Sequence, residues 1–168
     1  IEEPSDLNYF ILINNKRKRI IDTLRSRSLE FKIFFSNNEK KAILENLAKN
    51  FDVILEPYSN FISKTTPGTL IKVSECLSSL KINDDKNLYD SVEILLDKLK
   101  KNKNEIYLES IKFLLDYEIE KKLKIKNYDF LNLSFIKKNI TKLLFEYENF
   151  GLSKNSVLES FKSLPKNV

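Results

Sequence analysis

Ile106-Tyr107-Leu108-Glu109-Ser110-Ile111-Lys112-Phe113-Leu114-Leu115-Asp116-Tyr117 carries apolar residues at 106, 108, 111, 113, 114, 115 and 117. The three- and four-residue steps among them predict a helix with a wide apolar face. Helical periodicity continues on both sides. Val92, Leu95, Leu96 and Leu99 mark a helix upstream. Downstream, Ile136, Ile140, Leu143, Leu144, Tyr147 and Phe150 line a stripe that Ser134 is expected to open and Gly151 to close as a C′ glycine. Val157, Leu158, Phe161 and Leu164 predict a last helix before Pro165. Residues 83–168 therefore read as an antiparallel bundle of about four helices. Broad faces of this kind serve a core or a subunit interface, and Phe113, Tyr117, Phe145 and Tyr147 fit either role.

Working back from the bundle, Asn83-Asp84-Asp85-Lys86-Asn87 is a polar break and the best domain boundary. Before it, Leu70, Ile71, Val73, Leu77 and Leu80 form an amphipathic pattern that opens after Thr65-Thr66-Pro67-Gly68 and holds Cys76 on or near its apolar side. Ser36 followed by Glu39 is a capping-box signature, predicting a helix over about 37–49 with Ile43, Leu44, Leu47, Ala48 and Phe51 on one stripe. Pro57 suits the first turn of another helix.

The first 35 residues read differently. Tyr9-Phe10-Ile11-Leu12-Ile13 is a continuous run of β-favouring apolar residues, the pattern of a strand buried on both faces. Asn14-Asn15 ends it, Ile20 to Leu24 can make one or two helical turns, and Leu29-Glu30-Phe31-Lys32-Ile33-Phe34 alternates as a second strand would. The expected fold is mainly α, with terminal strands of a truncated α/β domain, a small helical lid and a helical bundle. Without further sheet neighbours, Ile11 and Ile13 should be exposed.

Composition narrows the chemistry. The chain has 168 residues, 42% hydrophobic, with 29 Lys+Arg against 24 Asp+Glu and no His. That suits a packed globular domain and removes the commonest zinc ligand and neutral-pH proton shuttle. A single cysteine excludes an intramolecular disulfide framework and favours a reducing cytoplasmic setting; with no His to activate it, Cys76 reads as a core residue. No apolar run is long enough to span a bilayer, and the acidic opening Ile1-Glu2-Glu3-Pro4-Ser5-Asp6 is unlike a signal peptide. The chain begins with Ile rather than Met, as expected of a piece of a longer reading frame. No phosphate-binding glycine loop is present, and the pairs Glu2-Glu3 and Asp84-Asp85 lack other ligands that would make them metal or acid/base sites. Lys16-Arg17-Lys18-Arg19 is the one compact basic run, read first as a solvated loop and otherwise as a phosphate-backbone contact or a targeting-like tetrapeptide.

Thr23-Leu24-Arg25-Ser26-Arg27-Ser28 asks for more than a core role. It follows a strand and a short apolar turn, an arrangement that mounts an arginine at a domain rim. A guanidinium stays ionised and offers forked donors to phosphate oxygens; the alternative is a surface arginine paired to a nearby carboxylate.

Ile1-Glu2-Glu3-Pro4, Tyr9 to Ile13 and Thr23 to Ser28 resemble, without a gap in spacing, the L-E-E-P, sensor-1 strand and T-[IL]-x-S-R-C elements of bacterial DNA polymerase III clamp-loader subunits of the AAA+ class. Thr65-Thr66-Pro67-Gly68-Thr69-Leu70 is similar to the S-P-G-x-x-L that opens that family's sensor-2 helix. The likeness covers residues 1 to about 80, and the basic, Ile-Ile-containing approach to the arginine motif is closer to the delta-prime branch than to gamma/tau.

The resemblance implies a division into residues 1–35, the end of an AAA+ α/β domain; 36–82, a helical lid; and 83–168, a helical collar that oligomerises. It implies that Arg27 is an arginine finger supplied in trans to ATP-Mg held by the adjacent subunit, with Ser26 orienting the motif. Asn14 or Asn15 falls at the sensor-1 position, a role that can be vestigial in delta-prime. Ser28 departs from the family's Cys, a residue not thought to touch phosphate. Implied partners are gamma/tau and delta subunits and, through the complex, the sliding clamp and primed DNA; no cofactor is assigned to this chain itself, and no membrane is involved. Two other readings remain: an ATP-hydrolysing gamma/tau-like subunit cut before its nucleotide site, and a standalone helical module binding nucleic acid through Lys16 to Arg19.

Overall fold

The computed structural model describes residues 10–14, 20–124 and 129–165. The chain divides into two compact units, Ile1–Phe34 and Phe35–Val168. The described residues are mainly helical and contain no strand.

Among the described residues of the first unit the one regular element is α1 (Asp22–Arg25). Its start is held by the Ile21 carbonyl, which accepts from the N–H groups of Leu24 at 3.1 Å and Arg25 at 3.2 Å. The two expected strands are not formed: residues 10–13 and 29–34 carry no ladder, and Tyr9 lies outside the described residues. A strand exists only where a neighbour takes up its N–H and C=O groups, and the described part of this unit supplies none. Ile11 and Ile13 are accordingly 87% and 93% exposed, as expected for apolar strand residues without a sheet.

The second unit contains α2 (Asn37–Phe51), a 3-10 helix (Tyr58–Ser63), α3 (Pro67–Ser79), α4 (Leu88–Asn102), α5 (Glu105–Lys124), α6 (Phe130–Phe150) and α7 (Lys154–Phe161). The capping box forms as read: Ser36 Oγ accepts from the Glu39 N–H, and Glu39 Oε2 accepts from the Ser36 N–H at 2.7 Å. Ser36→Ala should therefore lower the stability of this unit by about 1 kcal/mol in urea titrations, with an Asp replacement retaining most of it. Thr66 caps α3 with Pro67 at the first helical position, where its missing N–H is not needed. Gly151 ends α6 at φ 69°, a left-handed conformation that glycine enters without strain.

The start of α6 departs from expectation. Ser134 lies inside the helix, and the cap is Asp129, whose carboxylate accepts from the Leu131 N–H at 2.9 Å. Pro57 likewise precedes a 3-10 helix rather than entering the first turn of an α-helix.

α5 lies at the centre. It packs on α3, α4 and α6, while α7 packs on α4 and α6. Contact on several sides explains its wide apolar face: Leu108, Ile111, Phe113, Leu114, Leu115 and Ile119 are all buried. Ser110 and Ser91, buried on α5 and α4, return their hydroxyls to their own helices, donating to the carbonyls of Ile106 and Asn87. Buried residues from Leu44 to Leu164 form one core, so the segments assigned to lid and collar share it. Cys76 lies within that core, where burial pushes its thiol up and away from the reactive thiolate. Ion pairs fasten the rim: Lys154 Nζ reaches Glu93 at 3.1 Å and Asp97 at 2.7 Å, joining α7 to α4, and Lys137 reaches Asp116 at 2.7 Å, joining α6 to α5. No helix among the described residues is long and apolar enough to cross a membrane.

Candidate functional site

Ser26, Arg27 and Ser28 follow α1 directly and form one exposed turn. Its backbone closes by hydrogen bonds from the Arg27 N–H to the Leu24 carbonyl at 3.3 Å and from the Ser28 N–H to the Arg25 carbonyl at 3.4 Å. Both serine hydroxyls reinforce it: Ser26 Oγ donates to the Thr23 carbonyl at 3.1 Å and Ser28 Oγ to the Leu24 carbonyl at 2.7 Å. Serines compete for backbone groups in this way wherever a helix ends. Two of the six residues in the motif thus brace the turn through their hydroxyls, and Arg27 between them is exposed. Arg25, the other arginine, approaches the Glu30 carboxylate at 3.7 Å, a solvent-screened contact that contributes little.

The other expected site residues belong elsewhere in this unit. Asn14 is exposed in a non-helical segment, whereas Asn15 and the basic run Lys16 to Arg19 lie outside the described residues. Ser26 and Arg27 are thus the expected residues that one local element brings together.

The second unit holds a cleft of about 790 Å³ that the sequence did not single out. It lies where the loop after Ile82 meets the start of α4, the last turns of α5 and the end of α7. Lys121 Nζ donates to Asp84 Oδ1 at 2.9 Å and stands 5.5 Å from the centre of the Tyr117 ring. Lys122, only 3% exposed, pairs with Glu118 at 3.1 Å. Burial, with the Asp84 carboxylate and Tyr117 nearby, pushes the Tyr58 hydroxyl up to about 12. Tyr117 is raised by burial and by Asp84. For Lys121 burial works in the opposite direction, but the hydrogen bond and charge of Asp84, aided by Glu118, outweigh it and hold the ammonium above its ordinary value.

These shifts all favour the protonation state already dominant at neutral pH, so the cleft's raised groups are not poised for general acid/base chemistry. Lys121 instead fastens the acidic loop onto α5 through Asp84. The i,i+4 pair Glu118 and Lys122 was readable from sequence, but Asp84 and Lys121 are 37 residues apart and only folding brings them together.

The raised Tyr58 makes a pH prediction. A folded-state value near 12 against the ordinary 10 means the folded chain holds its proton longer than the unfolded chain. Stability should therefore fall as pH rises from about 10 to about 12. Urea midpoints across that interval should fall less steeply for Tyr58→Phe than for the parent; identical slopes would contradict the assignment.

No family model, curated protein or solved structure matches the chain.

Proposed function

We propose that the chain is a non-catalytic clamp-loader subunit of a replicative DNA polymerase, supplying Arg27 in trans to ATP-Mg bound by the adjacent subunit. The single observation that supports this most is the Thr23 to Ser28 segment: its resemblance to the family's arginine motif coincides with an exposed turn in which Ser26 and Ser28 are tied back to α1. A finger requires that combination. Its guanidinium must reach out of its own subunit, and the turn beneath must not have to be ordered at the moment of phosphoryl transfer.

In this reading residues 1–35 end an AAA+ domain, α2, the 3-10 helix and α3 are the lid, and α4 to α7 are the collar that joins a ring with gamma/tau and delta. The ring places the sliding clamp on primed DNA in the cytoplasm. Asn14 and Asn15 hold the sensor-1 position without contributing chemistry.

The test is assembly. Mixed with gamma/tau and delta subunits from the same source, the chain should co-elute in a complex of defined stoichiometry on size exclusion. Independent elution of all components would remove this reading. Co-elution with delta, together with an intact phosphate-binding loop encoded upstream of Ile1, would replace it with a gamma/tau-like assignment.

A further inference from the structure

α6 has two apolar faces. One is buried, with Leu133, Ile136, Ile140 and Leu144 in the core. The other is open: Leu131 is 74% exposed, Phe135 64% and Phe145 55%, with the exposed Phe150 beside it meeting Phe145 edge-on at 6.0 Å. A helix needs one apolar stripe to join its own core, so the second stripe calls for its own explanation.

Its spacing is regular. Leu131, Phe135, Lys138, Lys142, Phe145 and Asn149 succeed one another at alternating steps of four and three, the interval that keeps side chains along a seam between two helices. All six are exposed. The apolar residues form two groups about 15 Å apart along the axis, given a rise of about 1.5 Å per residue. Lys138 and Lys142 lie between them. Lys142 also approaches Glu146 at 3.7 Å, but it stays largely in solvent.

The lysines decide what can cover the seam. A second copy of the chain could match the apolar groups by antiparallel pairing of Phe135 with Phe145, but that register sets Lys138 of one copy opposite Lys142 of the other. Parallel pairing in register sets each lysine against itself. Either arrangement places like charges at the centre of the contact, which is repulsive. An occupant with carboxylates at the same places meets the lysines with attraction and leaves the apolar groups matched.

We propose that this face of α6 is a docking surface for an amphipathic helix of another polypeptide, one whose apolar anchors, about three turns apart, flank acidic residues set opposite Lys138 and Lys142. The proposal does not depend on the clamp-loader reading, because it concerns the second unit alone and is tested without nucleotide or DNA.

The test uses the full chain in two charge forms. The double variant K138E/K142E presents the apolar spacing and acidic centre described for the partner, so it serves as the probe. Sedimentation equilibrium of wild type mixed with this variant should give a heterodimer with an association constant at least about tenfold above that of either protein alone. Phe135→Ser in either component should abolish the gain, and circular dichroism should show an unchanged helix content in all forms. The proposal is overturned if the mixture associates no better than its components, if Phe135→Ser leaves the association intact, or if wild type alone dimerises in a manner that Phe135→Ser removes.

Discussion

Arg27→Ala should lower the DNA-stimulated ATP turnover of a clamp loader assembled around this chain by about tenfold or more, while the assembly itself forms normally. Arginine fingers accelerate phosphoryl transfer by roughly 10³–10⁵ in GTPases, because a delocalised cation stabilises charge spreading over the phosphoryl oxygens. In a ring whose nucleotide sites fire in a coupled cycle, the one site that this arginine serves becomes limiting, so the total rate still falls strongly, though less than in a single-site GTPase. The substitution should have little structural effect: Arg27 is exposed, and its turn is closed by backbone groups and by the Ser26 and Ser28 hydroxyls, all of which alanine leaves in place. Arg27→Lys keeps the charge but loses the forked donors, so it should recover only part of the activity. Equal turnover by parent and Arg27→Ala complexes would refute the finger.

Ser26→Ala distinguishes positioning from charge. Removing its hydroxyl takes away the 3.1 Å bond to the Thr23 carbonyl but leaves Arg27 itself untouched. If Ser26 positions the arginine, turnover should fall modestly while ATP affinity of the neighbouring subunit is unchanged. A loss equal to that of Arg27→Ala would mean that the turn, rather than the guanidinium, carries the effect.

Helix limits were legible wherever the terminal residues carried a specific capping signature. Ser36 with Glu39, Thr66 with Pro67, and Gly151 each announce a boundary through local backbone chemistry that needs nothing from the rest of the fold. The start of α6 was misread for a related reason. Ser134 stands just before Ile136, where the stripe is read to begin, whereas the buried face starts a turn earlier at Leu133, four residues after the true cap Asp129. The strand readings failed differently. Period-two patterns state a preference for extended backbone, but a ladder requires another strand, and residues 29–34 have none beside them among the described residues. The cleft was hidden because its principal ion pair joins a loop acid to a lysine on another helix, a contact with no local signature. Sequence also left Phe113, Tyr117, Phe145 and Tyr147 open between core and interface; the fold buries Phe113, half-buries both tyrosines and leaves Phe145 in solvent.

Phe113→Ala should cost the second unit about 3–5 kcal/mol, among the largest losses that a single core substitution produces. Phe113 is 6% exposed on the central helix α5, and its ring is shared by two elements. From the 3-10 helix, Tyr58 and Phe61 approach it edge-on at 5.4 and 5.1 Å between ring centres; along α5, Tyr117 lies nearly parallel to it at 6.3 Å. Tyr58 and Phe61 also meet Tyr117 edge-on, so four rings form a closed set in which positive edges face negative faces. Alanine would remove the ring common to three of these contacts and leave a cavity bounded by side chains from a short 3-10 helix and a long α-helix. The long helix cannot move to fill it, because α3, α4 and α6 hold it on other sides. The short one can shift, so the loss should show locally before global unfolding: amide exchange near Phe61 and Ile62 should accelerate more than exchange at Ile111 and Leu115. Phe113→Leu fills much of the volume without restoring the ring contacts and should cost less. A difference below about 1 kcal/mol between Phe113→Ala and the parent in urea unfolding would show that the four rings do not join the 3-10 helix to α5 in the way their geometry requires.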